Sequence, residues 1–578
     1  MAGSEERFRR SGSVATRSLE TRSWVVHVEH PPSTQLGVDT ATGLQLLLHG
    51  EVLGVGSDQA TAVAGHLARL DPGAPAGLNG SFAALVVDPV ADRVSVVTDR
   101  VNSRRVYGHR DPEGTWLATT LAGLTTARDL DPVGVGWYLA NGDVHGSRTI
   151  LDGVSVLGRA SWNDITDGPL ATRGYWRFAP GETVRDASEA ALSHELGDLL
   201  VAAVRRHVAD SPDLFVSLSG GYDATAIVGA LRADLGARDA RCLTYALGRA
   251  GRDSDEHRAA ETARRAGFAF ERVQSYDGDL VRAIERNASM SQGTKGFVHE
   301  ADAWHRLGST FASLRHPVVL AGDECFGGAL DHTIRTRDDA LRSVGIRGFG
   351  VLECLAGHVP GDTLDGMAAG MAADTEAILA RCPSSGDPRD AKDFLYLDQR
   401  LANVISPWRE GFASRFATLR NPLLDNDLLD FVAALPAPLR RTKLLFRRTV
   451  ARMYPDLFAV PRAKRSNYMV DLGQEIARHA PAIRRLATTG SSRLDDLVPP
   501  SAILALVDAA VSAAGRPPSL QARGRDLVRA ALPPRASNVV RRYRPPAQFP
   551  PVDPATLVVR LLILRTALGQ DEPPVLPG

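Results

Sequence analysis

The chain has no excess of charge of either sign, because its 67 lysines and arginines equal its 67 aspartates and glutamates. This balance argues against a nucleic-acid-binding protein, which usually carries a clear basic surplus. The composition is 44% hydrophobic and 23% charged, close to that of an average globular protein, so wholesale disorder is excluded. At 578 residues the chain is too long for one hydrophobic core, and we expect two domains with an appendage.

Cysteine is scarce. The four cysteines are widely spaced, and no two stand at the C-x-x-C spacing of metal or redox motifs: Cys242, Cys325, Cys354 and Cys382. We interpret them as reduced thiols of a cytoplasmic protein. The first twenty residues carry charges but lack the apolar core of a signal peptide, which agrees with that interpretation.

Long hydrophobic runs are missing as well. The apolar segment TLVVRLLILRTAL, residues 556–568, is shorter than the roughly 20 residues that a membrane span needs, and it contains Arg560 and Arg565. It predicts a buried helix, and no membrane span is expected. The rest of residues 486–578 mixes small residues, arginine and proline, which is typical of peripheral packing or of a mobile segment.

The order of the apolar segments predicts a mixed α/β fold in two parts. Short apolar runs between residues 24 and 100, separated by Gly, Pro and Asp, indicate an antiparallel sheet. A helix behind a serine N-cap is predicted at residues 187–209. After it, strands alternate with helices, as in a doubly wound parallel sheet, and the strands are LFVSLS, CLTYALG, FERVQ and HPVVLA. Beyond about residue 335 the strand signals fade and helical periodicity dominates.

The strongest chemical signal is the segment SLSGGYD, Ser217–Asp223, at the predicted junction of a strand and a helix. Two glycines allow a sharp turn there, so the N–H groups of Ser219, Gly220 and Gly221 and the positive end of the helix dipole can bind phosphate or pyrophosphate. No lysine follows the glycines, which excludes the GxxxxGK[ST] loop of ordinary NTPases. A glycine turn with an Asp N-cap is the structural alternative.

Acidic residues follow two of the predicted parallel strands. Asp223 is a hard oxygen ligand of the kind that Mg²⁺ takes beside phosphates. The segment GDE, residues 322–324, ends the strand HPVVLA. Because the carboxyl ends of parallel strands meet in one crevice, we expect Asp223 and Asp323 to share a metal ion. Alone, the GDE segment would indicate only a turn.

These segments together resemble the class B asparagine synthetases. SLSGGYDATAIVGAL is similar to their SGGxDS pyrophosphatase loop, and AGDECFGG is similar to, although shorter than, their SGxGxDExFGG segment. LRNPLLDNDLLDFVAALP resembles their ExRxPFLDxxLxxxxxxLP, and Lys443 with Phe446 and Arg447 stands where they have GKxxLR. LLLHGEVLG, LNGSFAALVVD and TDRVNSRRVYG resemble their glutaminase half. The resemblance covers roughly residues 25–475.

The resemblance implies an N-terminal glutaminase-like (Ntn-type) sandwich domain and a C-terminal ATP-pyrophosphatase synthetase domain with a doubly wound parallel sheet. The predicted segments are an N-terminal extension at 1–23, a degenerate glutaminase-like domain at 24–185, the synthetase domain at 186–485 and a helical, proline-rich extension at 486–578.

One departure from the family bears on the nitrogen source. Class B enzymes begin, once Met1 is removed, with a cysteine that hydrolyses glutamine, whereas Ala2 follows Met1 here and the first cysteine is Cys242. Alanine cannot replace a thiolate nucleophile, so we expect the N-terminal domain to be structural. Two branches of the superfamily resemble such a protein, the β-lactam synthetases and the lasso-peptide cyclases.

We favour the lasso-peptide cyclase, an ATP-dependent ligase that releases AMP and pyrophosphate. Such an enzyme adenylates an Asp or Glu side chain of a core peptide and couples it to the N-terminal amine of the same peptide. The resemblance then implies a peptide substrate, a leader-recognition protein and a leader peptidase as partners. A β-lactam-synthetase-like cyclisation of a small amino acid derivative is one alternative. An inactive peptide-binding scaffold is another, although the joint presence of Asp223, Asp323 and Lys443 argues against it.

The resemblance also implies ATP and Mg²⁺ as cofactors and assigns them residues. Asp223 and Asp323 would hold the metal. The backbone of the glycine loop would hold pyrophosphate, with the Thr225 hydroxyl in place of the one that Ala224 lacks. The adenosine would be held mainly through backbone contacts by four residues: Leu218, Leu247, Ala321 and Gly322.

Lys443 is the predicted catalytic residue. Only four of the 67 basic residues are lysines, so a lysine at the family position is informative, although a surface lysine is the alternative. Its ammonium would stabilise the oxyanion of the tetrahedral intermediate and the leaving AMP. Tyr396, Asp398 and Glu410 are possible general bases, and spacing does not choose among them. Lys295 contacts either the substrate or only its own loop.

Overall fold

The computed structural model describes twelve stretches of the chain: residues 15–30, 34–68, 73–124, 129–209, 211–237, 239–248, 251, 253–326, 333–383, 386–463, 469–514 and 549–569. The strands are β1 (Ala15–Glu20), β2 (Val25–His30), β3 (Gln35–Val38), β4 (Gln45–Val52), β5 (Gly80–Asp88), β6 (Arg93–Thr98), β7 (Tyr107–Asp111), β8 (Gly114–Ala118), β9 (Val154–Val156), β10 (Ser161–Asp164), β11 (Ala171–Gly174), β12 (Asp213–Ser217), β13 (Arg241–Ala246), β14 (Ala269–Gln274), β15 (Pro317–Leu320) and β16 (Thr418–Arg420).

The α-helices are α1 (Gln59–Leu67), α2 (Pro132–Asn141), α3 (Glu189–Val208), α4 (Tyr222–Gly229), α5 (Asp255–Ala266), α6 (Leu280–Ser291), α7 (Ala301–Phe311), α8 (Arg337–Ser343), α9 (Gly361–Ala380), α10 (Pro388–Leu395), α11 (Ser406–Phe412), α12 (Asn426–Ala433), α13 (Ala437–Arg440), α14 (Leu444–Met453), α15 (Pro455–Phe458), α16 (Leu472–Thr488), α17 (Pro500–Ala514) and α18 (Pro554–Ala567). Two segments are π-helical, Ala230–Asp234 and Tyr396–Ile405. Short 3₁₀ turns lie at Ala74–Gly77, Leu121–Leu124, Phe349–Leu355, Pro422–Leu424, Arg441–Lys443 and Arg493–Asp496.

The N-terminal part is built from antiparallel strands, as the sequence predicts. A six-stranded sheet has the order β11-β10-β6-β5-β4-β3, and α1 covers one of its faces through Val63 and Leu67. The hairpin β1–β2 places Leu19 against the same sheet in a separate small core. A three-stranded sheet, β8-β7-β9, contributes Leu117 to a core with Val96 of β6. The N-terminal part therefore consists mainly of antiparallel sheets that pack against one another.

The second part carries a five-stranded sheet of order β14-β13-β12-β15-β16, in which every pair is parallel. Successive side chains of a strand point to opposite faces. Phe215 of β12 accordingly packs with the helices α7 and α11, whereas Val216 packs with α3, α4 and α14. Helices thus cover both faces, and the predicted doubly wound α/β fold is confirmed.

The position of β12 decides where the motifs meet. β12 is the central strand and pairs with β13 on one side and with β15 on the other. The carboxyl ends of parallel strands lie at the same edge of a sheet. The glycine loop after β12 and the GDE segment after β15 therefore lie side by side, although they are far apart in the sequence.

The apolar C-terminal segment forms α18, and the prediction of a buried helix is confirmed. Leu561 and Leu564 lie in a core that also contains residues of α2, α6, α16 and α17. Arg560 donates to the carbonyl oxygen of Leu139 at 2.6 Å, and Arg565 pairs with Asp495 at 2.9 Å. An α-helix that is apolar on all sides is one that lies buried, as α18 does.

The helix with a serine N-cap is confirmed, because the Ser188 side chain accepts from the N–H of Ala191 at the start of α3. The strand β16 was not predicted, since three residues are too short to show a periodic pattern. The proline-rich segment at 533–548 and Lys464 lie outside the described residues. None of the described helices has the length and apolar character that crossing a bilayer requires. The four cysteines are all free.

Candidate active site

The glycine loop joins β12 to α4 at the carboxyl edge of the parallel sheet. β12 ends at Ser217 and α4 begins at Tyr222, so the residues between them form a sharp strand-to-helix turn. The N–H of Leu218 donates to Leu243 of β13 at 2.8 Å, and the N–H of Gly221 donates to the Ser219 hydroxyl at 3.3 Å. The loop is thus held at its base, while Ser219 remains exposed.

Gly220 is required because its surroundings leave no room for a side chain. A Cβ at this position would lie 2.5 Å from the Cβ of Ala463 and 2.9 Å from that of Arg258. The end of β15 is packed almost as closely, since a Cβ on Gly322 would lie 3.0 Å from the backbone nitrogen of Ala224. The glycines of both motifs thus allow backbone segments to approach each other closely.

Lys443 joins these two segments. Its Nζ lies 3.0 and 3.1 Å from the carboxylate oxygens of Asp223 in α4, and 3.0 Å from Oε1 of Glu324 after β15. The Lys443 side chain is 13% exposed and that of Glu324 is 5% exposed, so water screens the three charges only weakly. Two carboxylates thus face one ammonium at the carboxyl edge of the sheet.

The backbone that carries Lys443 is strained. Thr442 and Lys443 both have left-handed backbone angles, with φ of 53° and 56°. Such a conformation costs a non-glycine residue about 1–2 kcal/mol. Strain of this kind clusters at functional sites, where the surrounding structure enforces it. Here the strained backbone places Lys443 directly before Leu444, the first residue of α14.

The charges of the cluster shift the pKa values of its members. Desolvation raises the pKa of Asp223 to about 6, with Lys443 acting against the shift and Glu324 adding to it. Burial alone would lower the pKa of Lys443, but the charges of Glu324 and Asp223 outweigh it and raise this pKa above its ordinary value. Lys443 therefore stays positively charged at any physiological pH.

Tyr396 also belongs to the cluster, since its hydroxyl donates to Glu324. Burial and the nearby carboxylates of Glu324, Asp323 and Asp223 raise the pKa of Tyr396 well above its ordinary value. The other two possible bases lie elsewhere. Asp398 is bound by Arg159 at 3.1 Å and Arg381 at 2.8 Å, whereas Glu410 contacts His49 at 3.3 Å.

Asp323 faces a different partner from its neighbour Glu324. Arg409 of α11 binds both of its carboxylate oxygens, at 3.0 and 3.1 Å. Asp223 and Asp323 therefore contact different cations in this structure, and it is Glu324 that shares Lys443 with Asp223. Which carboxylate joins Asp223 on a metal ion stays a prediction.

The donor set fits Mg²⁺, which binds through one or two carboxylates and completes its shell with phosphate oxygens and water. Asp223 and Glu324 already direct oxygens at one cation, the Lys443 ammonium. Within the described stretches, no group of three or more acidic, histidine or cysteine side chains is arranged to hold a metal by itself. The set thus suits a metal that arrives with a phosphate ligand.

A comparison with protein families identifies the second part of the chain. Residues 195–524 match the model of the asparagine synthase family, which is more than half of the protein. The chain belongs to the asparagine synthase family. No curated protein matches the sequence. As a member of this family of ATP-dependent ligases, the protein is an ATP-dependent amide-forming synthetase in general terms.

The residues that the resemblance assigns to adenosine directly follow three strands of this asparagine synthase domain. Leu218 and Ala321 are fully buried, and Ala321 donates its N–H to Arg420 of β16 at 2.9 Å. Leu247 follows β13 and is partly buried. Together with Gly322 they line the same carboxyl edge as the glycine loop. Their contact with a nucleotide stays a prediction.

The position of Thr225 does not support the role that was predicted for it. Its side chain is fully buried, and its hydroxyl donates to the carbonyl oxygen of Gly221 at 2.7 Å and accepts from Arg462 at 3.0 Å. One helical position after Ala224, the side chain is rotated by about 100° away from the loop face. In this structure Thr225 therefore supports the loop from behind, and its contact with pyrophosphate stays a prediction.

Sequence reasoning missed three charged residues of the site. Arg409 lies in a helix without any recognised motif. Arg462 belongs to a segment that no sequence pattern marks, and it donates to the carbonyl oxygen of Gly221 at 3.1 Å. Glu324 was visible beside Asp323 in the GDE segment, but the sequence does not show which of two adjacent carboxylates faces Lys443. The nearby arginines Arg447 and Arg462 lie over the Tyr222 ring, at 4.8 and 5.3 Å.

Proposed function

We propose that this asparagine synthase family member adenylates a carboxylate of its substrate and then couples it to an amine of the same substrate. The substrate we propose is a peptide, in which an Asp or Glu side chain is joined to the N-terminal amine as in lasso-peptide macrolactam cyclases. The observation that carries the proposal is the cluster of Asp223, Glu324 and Lys443 beside the glycine loop. It combines an anion-binding turn, metal-binding oxygens and a fixed cation.

In the first step, an oxygen of the substrate carboxylate attacks the α-phosphorus of ATP, and the bond to the β-phosphate breaks. Pyrophosphate leaves with the electron pair, and its charge is bound by the N–H groups of the glycine loop and the N-terminus of α4. Asp223, with Glu324 or Asp323, would hold Mg²⁺, which neutralises charge on the phosphates. The product is an acyl-adenylate, whose carbonyl carbon is a good electrophile.

In the second step, the amine nitrogen attacks that carbonyl carbon and loses a proton. The C–O bond to AMP breaks, so AMP leaves and an amide forms. Lys443 would stabilise the oxyanion of the tetrahedral intermediate and the leaving phosphate. The raised pKa of Lys443 supports this role, because the side chain keeps its positive charge beside the developing negative charge.

The cysteine content supports an amine that comes from the substrate. Residues 1–241 contain no cysteine, the residue that would release ammonia from glutamine in a class B enzyme. If the substrate is a peptide cut from a precursor, a leader-recognition protein and a leader peptidase would be the partners.

Pyrophosphate release tests the proposal. The purified protein with Mg-ATP is offered a synthetic core peptide with a free N-terminus, a β-amino-acid carboxylate, or aspartate with ammonia, in parallel. We expect release that depends on the peptide, and a product lighter than the peptide by one water. Release with the small acid alone would instead indicate β-lactam-type synthesis. Release with none of them, together with normal ATP binding, would contradict the proposed activity and favour an inactive scaffold.

A further inference from the structure

Glu300 is a buried carboxylate next to the proposed active site. It directly precedes α7, and its N–H donates to Ser275, the residue after β14. Its side chain is 1% exposed, and its backbone is left-handed with φ of 77°. Glu300 thus lies at the same carboxyl edge of the sheet as the glycine loop, and its backbone is held in a costly conformation.

One oxygen of this carboxylate has no partner. Oε2 of Glu300 is buried and accepts no hydrogen bond from the residues that the structure describes, while the carboxylate bonds to the Trp304 side chain. A buried acceptor without a donor costs about 1–3 kcal/mol, and more when it is charged. Burial raises the pKa of Glu300 to about 8, with Arg409 acting against the shift and Asp323 adding to it.

The cation next to Glu300 is already paired. Among the described residues Arg409 is the cation that interacts with Glu300, and both oxygens of Asp323 bind the Arg409 guanidinium. With no ligand present, burial therefore leaves the Glu300 carboxyl largely protonated near neutral pH. An ammonium group at Oε2 would supply the missing partner and stabilise the ionised carboxylate.

A second unpartnered polar atom adjoins the same arginine. The Trp408 ring lies 4.4 Å from the Arg409 guanidinium, and its indole N–H is buried without an acceptor among the described residues. The ring also packs against Phe297 at 5.6 Å. An unpartnered acceptor at Glu300 and an unpartnered donor at Trp408 are the two kinds of group that the N-terminal residue of a peptide would satisfy, since it offers an ammonium and a carbonyl oxygen.

We propose that Glu300 binds the amine that attacks the acyl-adenylate, with its free Oε2 as the acceptor. This inference rests on the proposed function, since it assigns a place to the second reactant. Asp323 and Glu324 are consecutive, and they contact Arg409 and Lys443 respectively. The amine site is thus adjacent to the site where the carboxylate is activated, as an attack between them requires.

Peptide binding tests this inference separately from catalysis. The ligands are a synthetic peptide with a free N-terminus and a Glu or Asp side chain, and its N-acetylated twin, which keeps the carboxylate but has no ammonium. Dissociation constants are measured by calorimetry with Mg²⁺ and α,β-methylene-ATP, which cannot release pyrophosphate. We expect the wild-type protein to bind the free peptide about 10- to 100-fold more tightly than the acetylated peptide, the range for a buried charged hydrogen bond.

Glu300→Gln should abolish this preference by weakening only the binding of the free peptide, and Glu300→Asp should keep part of it. Asp302→Asn is the matched control. Asp302 is equally buried two residues further on, but it pairs with Arg286, so its loss should leave the preference unchanged. Equal binding of both peptides by the wild type, no binding of either, or a preference that survives Glu300→Gln would overturn the inference. The proposed function fails on a different result, the absence of peptide-dependent pyrophosphate release.

Discussion

At the scale of single residues, the site depends on how its charged side chains are paired. Lys443 has two carboxylate partners within 3.1 Å, whereas the neighbouring Asp323 is held by Arg409. A buried charge without a partner is costly, so each of these side chains fixes the direction of the next. One oxygen of the buried Glu300 lacks such a partner among the described residues, and this observation is the basis of the ligand proposed for it.

Replacing Lys443 by methionine should lower the rate of amide formation by about 10²–10³-fold, because a fixed donor at a developing oxyanion contributes this much. ATP binding should change little, since the loop and its N–H groups remain. The measurement is single-turnover formation of product and AMP, with ATP binding determined by calorimetry. Arg448→Met is the control, because Arg448 is exposed and, among the described residues, pairs with Glu189 alone on the outside of α14. A Lys443→Met protein with the wild-type rate would refute the catalytic role.

At the scale of elements, the strand-to-helix turn between β12 and α4 holds the site together. Its glycines bring the loop against Arg258 and Ala463, and Arg462 and Thr225 support it from behind. The element was recognisable from its sequence, because two adjacent glycines after an apolar strand allow the chain to turn sharply. Its supporting residues were not, since they come from distant segments.

Gly220→Ala should weaken Mg-ATP binding and destabilise the protein by about 1–3 kcal/mol, the usual cost of forcing an extra methyl into a packed site. The added Cβ would lie 2.5 Å from that of Ala463, so the loop has to move. Gly366→Ala is the control, because Gly366 lies inside α9 with no atom within 4 Å of its added Cβ. Calorimetric ATP titration and thermal unfolding compare the two variants. Equal ATP affinity in Gly220→Ala and the wild type would contradict the role given to this turn.

At the scale of the whole molecule, buried charges join the N-terminal sheet region to the synthetase part. Lys295 is 1% exposed, and its ammonium pairs with Asp143 and donates to the carbonyl oxygens of Val404 at 2.9 Å and Asn403 at 3.2 Å. Both carbonyls belong to the last residues of the π-helical segment Tyr396–Ile405. The sequence leaves open whether Lys295 contacts the substrate or only its own loop. In the structure its ammonium instead lies in a buried contact between the two parts of the chain.

Lys295→Met should destabilise the protein by about 3–5 kcal/mol, because Asp143 would stay buried without its cation. The double variant with Asp143→Asn should recover part of that loss, since it removes the uncompensated charge. Arg484→Met provides a control, because the Arg484–Asp508 pair is exposed and such pairs contribute about 0–1 kcal/mol. Denaturant unfolding measures all three. If Lys295→Met unfolds at the same denaturant concentration as the wild type, the contact between domains carries no stability.

Much of the fold and part of the site follow from the sequence. The antiparallel strands, the alternating strands and helices, the buried helix α18 and the glycine loop all show local periodicity or glycine patterns. The short strand β16 and the strained pair Thr442 and Lys443 show none, because packing against distant segments imposes them. The predicted partner of Asp223 was Asp323, and the structure brings Glu324 to it through Lys443.

The sequence by itself determined the α/β class, the asparagine synthase family and the two motifs that meet at the sheet edge, because these depend on the order and spacing of residues along the chain. Only the tertiary structure decided that Glu324 faces Lys443, that Asp323 faces Arg409 and that Glu300 keeps a free oxygen. The physical reason is that a side chain at the end of a strand takes its direction from the helices packed against that end. Those helices come from distant parts of the chain and meet only once the protein has folded.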